Sequence, residues 1–348
     1  MTNSTKIPVG ILGATGSVGQ KFIQLLADHP WFEITELAAS ESSAGKKYKD
    51  VVDWFLPTPI PDKIANIEVK KCEPLLKSNV VFSGLDSSIA GTVETEFANN
   101  GYKIISNSRN HRMDDDVPLL IPEINPDHIE LIKNQKFDNG FIVTNPNCSA
   151  IGLCIALKPL YDNFGIEEVN VVTMQAISGA GNPKKVNLNI EDNVIPFING
   201  EEDKIETEPL KIFGFLNSDK IKFEDFRINV QCNRVNVTDG HMESVQVRLS
   251  KLATKDSIID AWNNFTSEPQ KLNLPFAPNR PIHYFEQNDF PQPKLHRDLE
   301  NGMAVSVGKF DSDKFFDYSF VVLSHNTARG AAGGAILCAE LLKARGYI

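Results

Sequence analysis

The run Gly13-Ala14-Thr15-Gly16-Ser17-Val18-Gly19 decides how this chain is read. Ahead of it lies a short apolar segment, Ile7 to Leu12, with the length and character of a buried strand. Behind it Val18, Phe22, Leu25 and Leu26 recur at helical spacing, and Pro30 closes the pattern. Glycines between a strand and a helix let the backbone turn tightly and come close to a pyrophosphate. The helix start then offers unpaired N–H groups and the positive end of its dipole to the anion. A glycine run alone describes any tight turn, but the strand–loop–helix setting makes it a dinucleotide-binding fingerprint. Gly13, Thr15, Gly16, Ser17, Val18 and Gly19 are therefore cofactor-binding candidates.

The same alternation continues outward. Ile34 to Ala39 and Val80 to Leu85 read as strands, Ile89 to Asn99 as a helix, and Lys103 to Ser106 and Phe141 to Thr144 as further strands. Strands alternating with helices imply a Rossmann-type, doubly wound parallel sheet in an α/β fold, here over residues 1–147. Ser83 and Gly84, at the end of one of those strands, join the cofactor candidates. Ser149 to Leu160 then reads as one apolar helix. Longer strand candidates follow at Val169–Ile177, Phe226–Val237, Met242–Leu249 and Phe316–Leu323. This points to an α+β domain with a mainly antiparallel sheet over residues 148–325. Asn182 to Ser218 is polar and reads as long connections with one helix, and Gly330 to Arg345 reads as a closing helix.

A length of 348 residues suits two domains, and 41% hydrophobic with 23% charged residues is ordinary for a soluble protein. The net charge of -10 argues against nucleic-acid binding, because the phosphate backbone would be repelled. It also makes each basic residue near a proposed site more telling. The five cysteines, Cys72, Cys148, Cys154, Cys232 and Cys338, are odd in number and form no CxxC pair, which fits a reducing compartment. MTNSTKIPVG lacks the pattern of a signal peptide, and no apolar run approaches the ~18–20 residues that span a bilayer. A cytoplasmic protein that binds neither membrane nor nucleic acid is expected.

Thr144-Asn145-Pro146-Asn147-Cys148-Ser149-Ala150 joins a strand to an apolar helix. Cys148 thus falls at a helix start, where the dipole favours a thiolate and the free N–H groups suit an oxyanion. Cys154 and Cys338, inside apolar helices, read as plain core residues. A thiolate nucleophile needs a proton partner, and histidine is the usual one. Of seven histidines, only His241 has a distinctive setting: it follows Asp239-Gly240 at the turn between two strong strands, with Arg234 seven residues before it. The others read as surface or satisfied core positions.

GATGSVG, TNPNCSA, QAISGAG, the Arg234…Gly240-His241 segment and HNTARGAAGGAI occur in this order. Together they resemble aspartate-β-semialdehyde dehydrogenases of the archaeal and fungal type, over nearly the whole chain. The resemblance implies NADP-dependent reductive dephosphorylation of L-aspartyl-4-phosphate to L-aspartate-4-semialdehyde through a cysteine thioester, in lysine, threonine and methionine biosynthesis. It implies Cys148 as nucleophile, His241 as acid/base and Gln175 as the glutamine that orients substrate. Arg234 would hold the substrate α-carboxylate, Arg112 and Lys204 the phosphate, and Glu201 (or Glu202, one register away) the amine. Asn326 would contact the cofactor near the nicotinamide, and the closing helix, residues 326–348, would pack back on the cofactor domain. The second domain would also form the interface of a homodimer or homotetramer, and no metal is implied. Plain alternatives exist: Arg112 stands beside Asp114, Asp115 and Asp116, Glu201 and Lys204 lie in a charge-rich stretch, and Gln175 ends an apolar strand.

NAD or NADP is decided in the loop after the second strand. Glu41 lies where an acid would take a ribose 2′-hydroxyl, yet Ser40, Ser42, Ser43, Lys46 and Lys47 surround it and suit a 2′-phosphate. The resembled family usually has arginine where Ser42 stands, so NADP is expected with NAD use possible. A malonyl-CoA reductase or an N-acetylglutamyl-phosphate reductase would share the same Cys/His chemistry. A catalytically silent dinucleotide sensor would not need Cys148, His241, Gln175 and Arg234 together.

Overall fold

The computed structural model describes residues 6–181 and 189–348. Its first sheet contains β1 (Ile7–Leu12), β2 (Phe32–Ala39), β3 (Val69–Lys71), β4 (Val80–Ser83), β5 (Lys103–Ser106) and β6 (Phe141–Thr144). The strand order is β3-β2-β1-β4-β5-β6 and each pairing is parallel. The order reverses at β1, and in such sheets ligands bind beyond the strands' carboxyl ends at that switch point. Helix α1 (Ser17–Leu26) starts there, and α2 (Ser87–Asn99) follows β4. The strands are short Val/Ile/Phe runs buried on both faces, as a sheet covered on both sides requires.

The glycine turn is shaped by packing as well as by conformational freedom. Gly13 has φ +71°, and a Cβ on it would lie 2.7 Å from the Gly84 carbonyl oxygen. A Cβ on Gly19 would lie 2.2 Å from the Gly13 oxygen. Gly13, Gly19 and Gly84 thus let α1 press against the ends of β1 and β4.

The second sheet contains β7 (Ile166–Gln175), β10 (Arg227–Arg234), β11 (His241–Leu249), β12 (Ile282–Tyr284), β13 (Val305–Ser312) and β14 (Tyr318–Ser324). A small hairpin, β8 (Phe215–Asn217) with β9 (Lys220–Lys222), stands apart. The order is β10-β7-β11-β14-β13-β12: the three central pairings are antiparallel and the two outer ones parallel. Helix α3 (Cys148–Phe164) covers one face of this sheet and is apolar nearly all round because it is buried nearly all round. Helices α4 (Glu201–Phe213), α5 (Lys255–Asn263) and α6 (Gly333–Ala344) complete the framework.

Two sequence expectations change. The segment read as the turn between two strands does not join neighbours, because β7 lies between β10 and β11 and pairs with both. The Asp239-Gly240 connection therefore crosses over a strand, and Gly240 takes φ +98°. Strands β12 and β13 had no reading of their own. The polar connection does contain one helix, α4, while residues 182–188 lie outside the described residues. The closing segment begins as a π-helix, Ala328–Ala332, before α6. Leu337, Leu341 and Leu342 of α6 are fully buried in the same core as α1, β1 and β2, each contributing on the order of 2 kcal/mol. Glu340 joins this core by accepting from His29, with Nε2 and Oε1 2.7 Å apart and neither side chain exposed.

Candidate active site

A cleft of about 1060 Å³ runs from the start of α1 to the start of α3. Ser17, Val18 and Lys21 line one end; Arg112, Asn147, Cys148, Glu201 and Lys204 line the other, with Asn326 and Gly330 between them. Among the described residues no cluster of His, Cys, Asp or Glu could hold a metal.

Asn147 caps α3 by accepting from Ser149 N and Ala150 N, which makes Cys148 the first helical residue. The Cys148 Sγ lies 3.3 Å from Nε2 of His241. Nδ1 of His241 accepts the Ala176 N–H at 3.0 Å. A neutral imidazole held this way carries its proton on Nε2, facing the sulfur. Burial, and then the nearby Arg234 charge, pull the His241 pKa down to about 3. Burial, and then Glu201, push the Cys148 thiol up to about 12, while Arg112, Arg234 and Lys204 pull the other way. The sequence favoured a lowered thiol pKa from the helix start; here burial outweighs it, so both partners rest neutral. A thiolate formed here would be stabilised by those three cations.

Sheet register builds the opposite wall. Arg234 pairs with Gln175 and His241 with Ser324 at one end of the sheet, with alternate residues facing α3. Arg234 donates to the Ala176 oxygen at 2.7 Å, and Gln175 lies against Cys232, 3.8 Å from its sulfur. Gln175 is thus buried beside Arg234 in the sheet. Gly179 lies over both Arg234 and His241: a Cβ there would sit 2.7 Å from Arg234 Nη1 and 2.9 Å from His241 Cε1.

Helix α4 supplies the third wall, and its charged face is not a solvated one. Glu201 accepts from Asn147 Nδ2 at 2.7 Å and from Lys204 Nζ at 2.8 Å. Glu202 turns the other way and accepts the Cys232 N–H, so of the two registers Glu201 faces the cleft. Arg112 pairs with Glu208 at 2.8 Å rather than with its aspartate neighbours, of which Asp114 meets His111 and Asp115 meets Lys220. Lys211 donates to the carbonyls of Arg112, Asp114 and Val117. Asn326 accepts from Gly240 N and donates to Ser178, tying the loop before His241 to the loop after β7.

At the cofactor end, Gly16 is the N-cap of α1 and makes no side-chain cap, leaving helix N–H groups free. Thr15 is half-buried in the turn and Ser83 is buried at the end of β4. Ser40 and Ser42 meet at 3.0 Å, Ser43 is buried, and Lys46 donates to the Ser42 carbonyl. Glu41 pairs with Lys71 at 3.3 Å. A pyrophosphate fits the free helix start, and the polar loop after β2 fits a ribose phosphate. Lys21, Glu208 and Lys211 lay in no sequence motif, and Asn147 and His325, though inside motifs, had been given no role. His325 lines the cleft, and burial lowers its pKa to about 4, where a plain position was expected.

Residues 8–132 match the family described as semialdehyde dehydrogenase, NAD binding domain, and residues 157–329 the semialdehyde dehydrogenase dimerisation domain. An aspartate-semialdehyde dehydrogenase of Archaeoglobus fulgidus is 49% identical over 96% of this chain and 97% of its own. One of Schizosaccharomyces pombe is 47% identical over 98% of this chain and 99% of its own. The crystal structure of the Candida albicans enzyme with NADP superposes with a TM-score of 0.91 at 42% identity, covering 99% of this chain and 100% of that one. With both family models matched, over residues 8–132 and 157–329, and relatives this similar along nearly the whole chain, the chain belongs to the aspartate-semialdehyde dehydrogenases.

Proposed function

We propose that this chain catalyses the reversible, NADP-dependent reductive dephosphorylation of L-aspartyl-4-phosphate to L-aspartate-4-semialdehyde, a step toward lysine, threonine and methionine. The observation that carries the reading is the 3.3 Å contact of Cys148 with His241 at the end of a cleft that begins at the glycine turn. Residues 1–147 with 326–348 form the cofactor half, and residues 148–325 the catalytic and dimerising half. Gly13, Gly16 and Gly19 bring the backbone to the pyrophosphate, Ser17 and Val18 offer their N–H groups to it, and Thr15, Ser83, Gly84 and Asn326 shape its surroundings. Ser40 and Ser43, with the neighbouring lysines, receive the 2′-phosphate.

Cys148 attacks the acyl carbon of the substrate, the carbon–oxygen bond to phosphate breaks, a thioester forms, and the thiol proton leaves with the phosphate. Arg234 holds the α-carboxylate, Glu201 the ammonium, and Arg112 with Lys204 the leaving phosphate. Gln175, beside Arg234, orients the chain of the substrate. When bound, the reduced nicotinamide supplies the hydride that reduces the acyl carbon. His241 donates a hydrogen bond from Nε2 to the oxygen that gains charge, and as the sulfur–carbon bond breaks and the aldehyde leaves, the Cys148 thiolate regains a proton through His241. Inorganic phosphate is the second product.

The face of the second sheet turned away from α3 carries half-buried Val172, Met174, Met242 and Val321, and this face pairs two copies in a homodimer. No helix among the described residues is long and apolar enough to cross a membrane. The five free cysteines fit the reducing cytoplasm. The test is phosphate-dependent cofactor reduction with aspartate-4-semialdehyde, run with NADP and NAD in parallel. Higher kcat/KM with NADP is expected. Turnover only with N-acetylglutamate semialdehyde, or only with malonyl-CoA in the reductive direction, would overturn the substrate.

A further inference from the structure

Glu208 lies on α4 with its side chain only 3% exposed, and both of its oxygens are engaged. Oε1 accepts from Arg112 Nη1 at 2.8 Å, and Oε2 accepts the backbone N–H of Asn147 at 2.6 Å. Arg112 lines the cleft, and Asn147 is both the cap of α3 and the residue before Cys148. One buried carboxylate therefore joins the arginine of the phosphate site to the backbone that sets the nucleophile. Arg112 donates also to the Asn107 carbonyl at 2.9 Å, while its Nε is buried without a partner. Two of its five N–H groups are thus committed, and three, one on each nitrogen, are left for an incoming oxyanion. The planar guanidinium has five donors in a fixed fork, so anchoring two edges fixes where the third points.

We infer that Glu208 is a positioning residue for the reaction: it orients Arg112 toward the substrate phosphate and at the same time holds Asn147, so that the phosphate and the sulfur are placed by one group. This rests on the reading of Arg112 as a phosphate-binding residue. Loss of the carboxylate leaves Arg112 charged and buried without its counter-ion, and the guanidinium turns to find other partners. A glutamine has the shape of the glutamate but offers one acceptor and one donor where two acceptors are needed.

The experiment compares Glu208→Gln, Arg112→Gln and the double variant in the oxidative direction, with KM measured separately for phosphate, aldehyde and NADP. Glu208→Gln is expected to raise the phosphate KM at least about tenfold and to leave the NADP KM within about twofold. Added to Arg112→Gln, it is expected to raise the phosphate KM less than about twofold further, because it acts through the arginine. A purely structural role would move all three KM values together. If Arg112→Gln raises the phosphate KM and Glu208→Gln does not, the positioning role is wrong and the phosphate reading survives. If Arg112→Gln itself leaves the phosphate KM unchanged, the phosphate reading falls and the inference falls with it. Should Glu208→Gln not fold, Glu208→Asp, which keeps the charge but loses the reach to one partner, is judged by the same phosphate KM.

Discussion

Gly179 shows how little space the reacting groups have. An added methyl would meet Arg234 Nη1 at 2.7 Å and His241 Cε1 at 2.9 Å, and both must shift to admit it. Gly179→Ala is expected to lower kcat/KM by about tenfold or more, in line with the cost of small misplacement, with little change in the melting temperature. Activity near wild type would mean that neither group is held to its observed position. Arg234→Lys is expected to raise the KM for aspartate-4-semialdehyde about tenfold, since an ammonium cannot make the planar two-point contact with a carboxylate. An unchanged KM would remove Arg234 from the substrate site. At this scale the sequence named most of the wall, because a cysteine after Asn-Pro-Asn and a histidine after Asp-Gly are local patterns. It missed Glu208 and Lys211, whose partners stand about a hundred positions away, 96 in the case of Glu208 and Arg112.

Helices α3 and α4 carry their roles at their ends and along one face. Asn147→Ala removes the cap of α3, a loss of about 1 kcal/mol, and also the acceptor and donor that hold the turn before Cys148. A modest fall in stability, read by thermal unfolding, is expected beside a fall in kcat of about a hundredfold. Equal, small effects on both would reduce Asn147 to an ordinary cap. Helix α6 was legible from its Ala-rich pattern, but its anchor was not. Glu340 reaches both His29 Nε2 and the Phe276 N–H from within the core. Glu340→Ala strands those donors and is expected to cost about 3 kcal/mol, while Glu340→Gln, which retains an acceptor, costs less. The strand order of the second sheet was illegible for a different reason. Hydrophobic alternation tells which face of a strand is buried and says nothing about its neighbour, so β7 entering between β10 and β11 left no local mark.

Three buried histidines make the fold sensitive to acid. Burial lowers His128 to about 4, His241 to about 3 and His325 to about 4, so the native state holds these rings neutral. An unfolded chain protonates them near pH 6.5, and the native state does so only near pH 3–4. Below about 6.5 the unfolded state thus binds more protons, and stability falls as pH drops through that window. From pH 7 down to pH 4 the melting temperature of His128→Gln is expected to fall less, or rise more, than that of the wild type; identical slopes would contradict a neutral His128 ring. The two-part organisation was readable because the alternation of strand and helix stops near Cys148, but the cleft that both parts create became visible only with the fold. The chemistry in that cleft is covalent. Enzyme mixed rapidly with aspartate-4-semialdehyde and NADP, without phosphate, is expected to give a burst of NADPH near one per subunit as the thioester accumulates, and none in Cys148→Ala. A burst of wild-type size in Cys148→Ala would contradict the account.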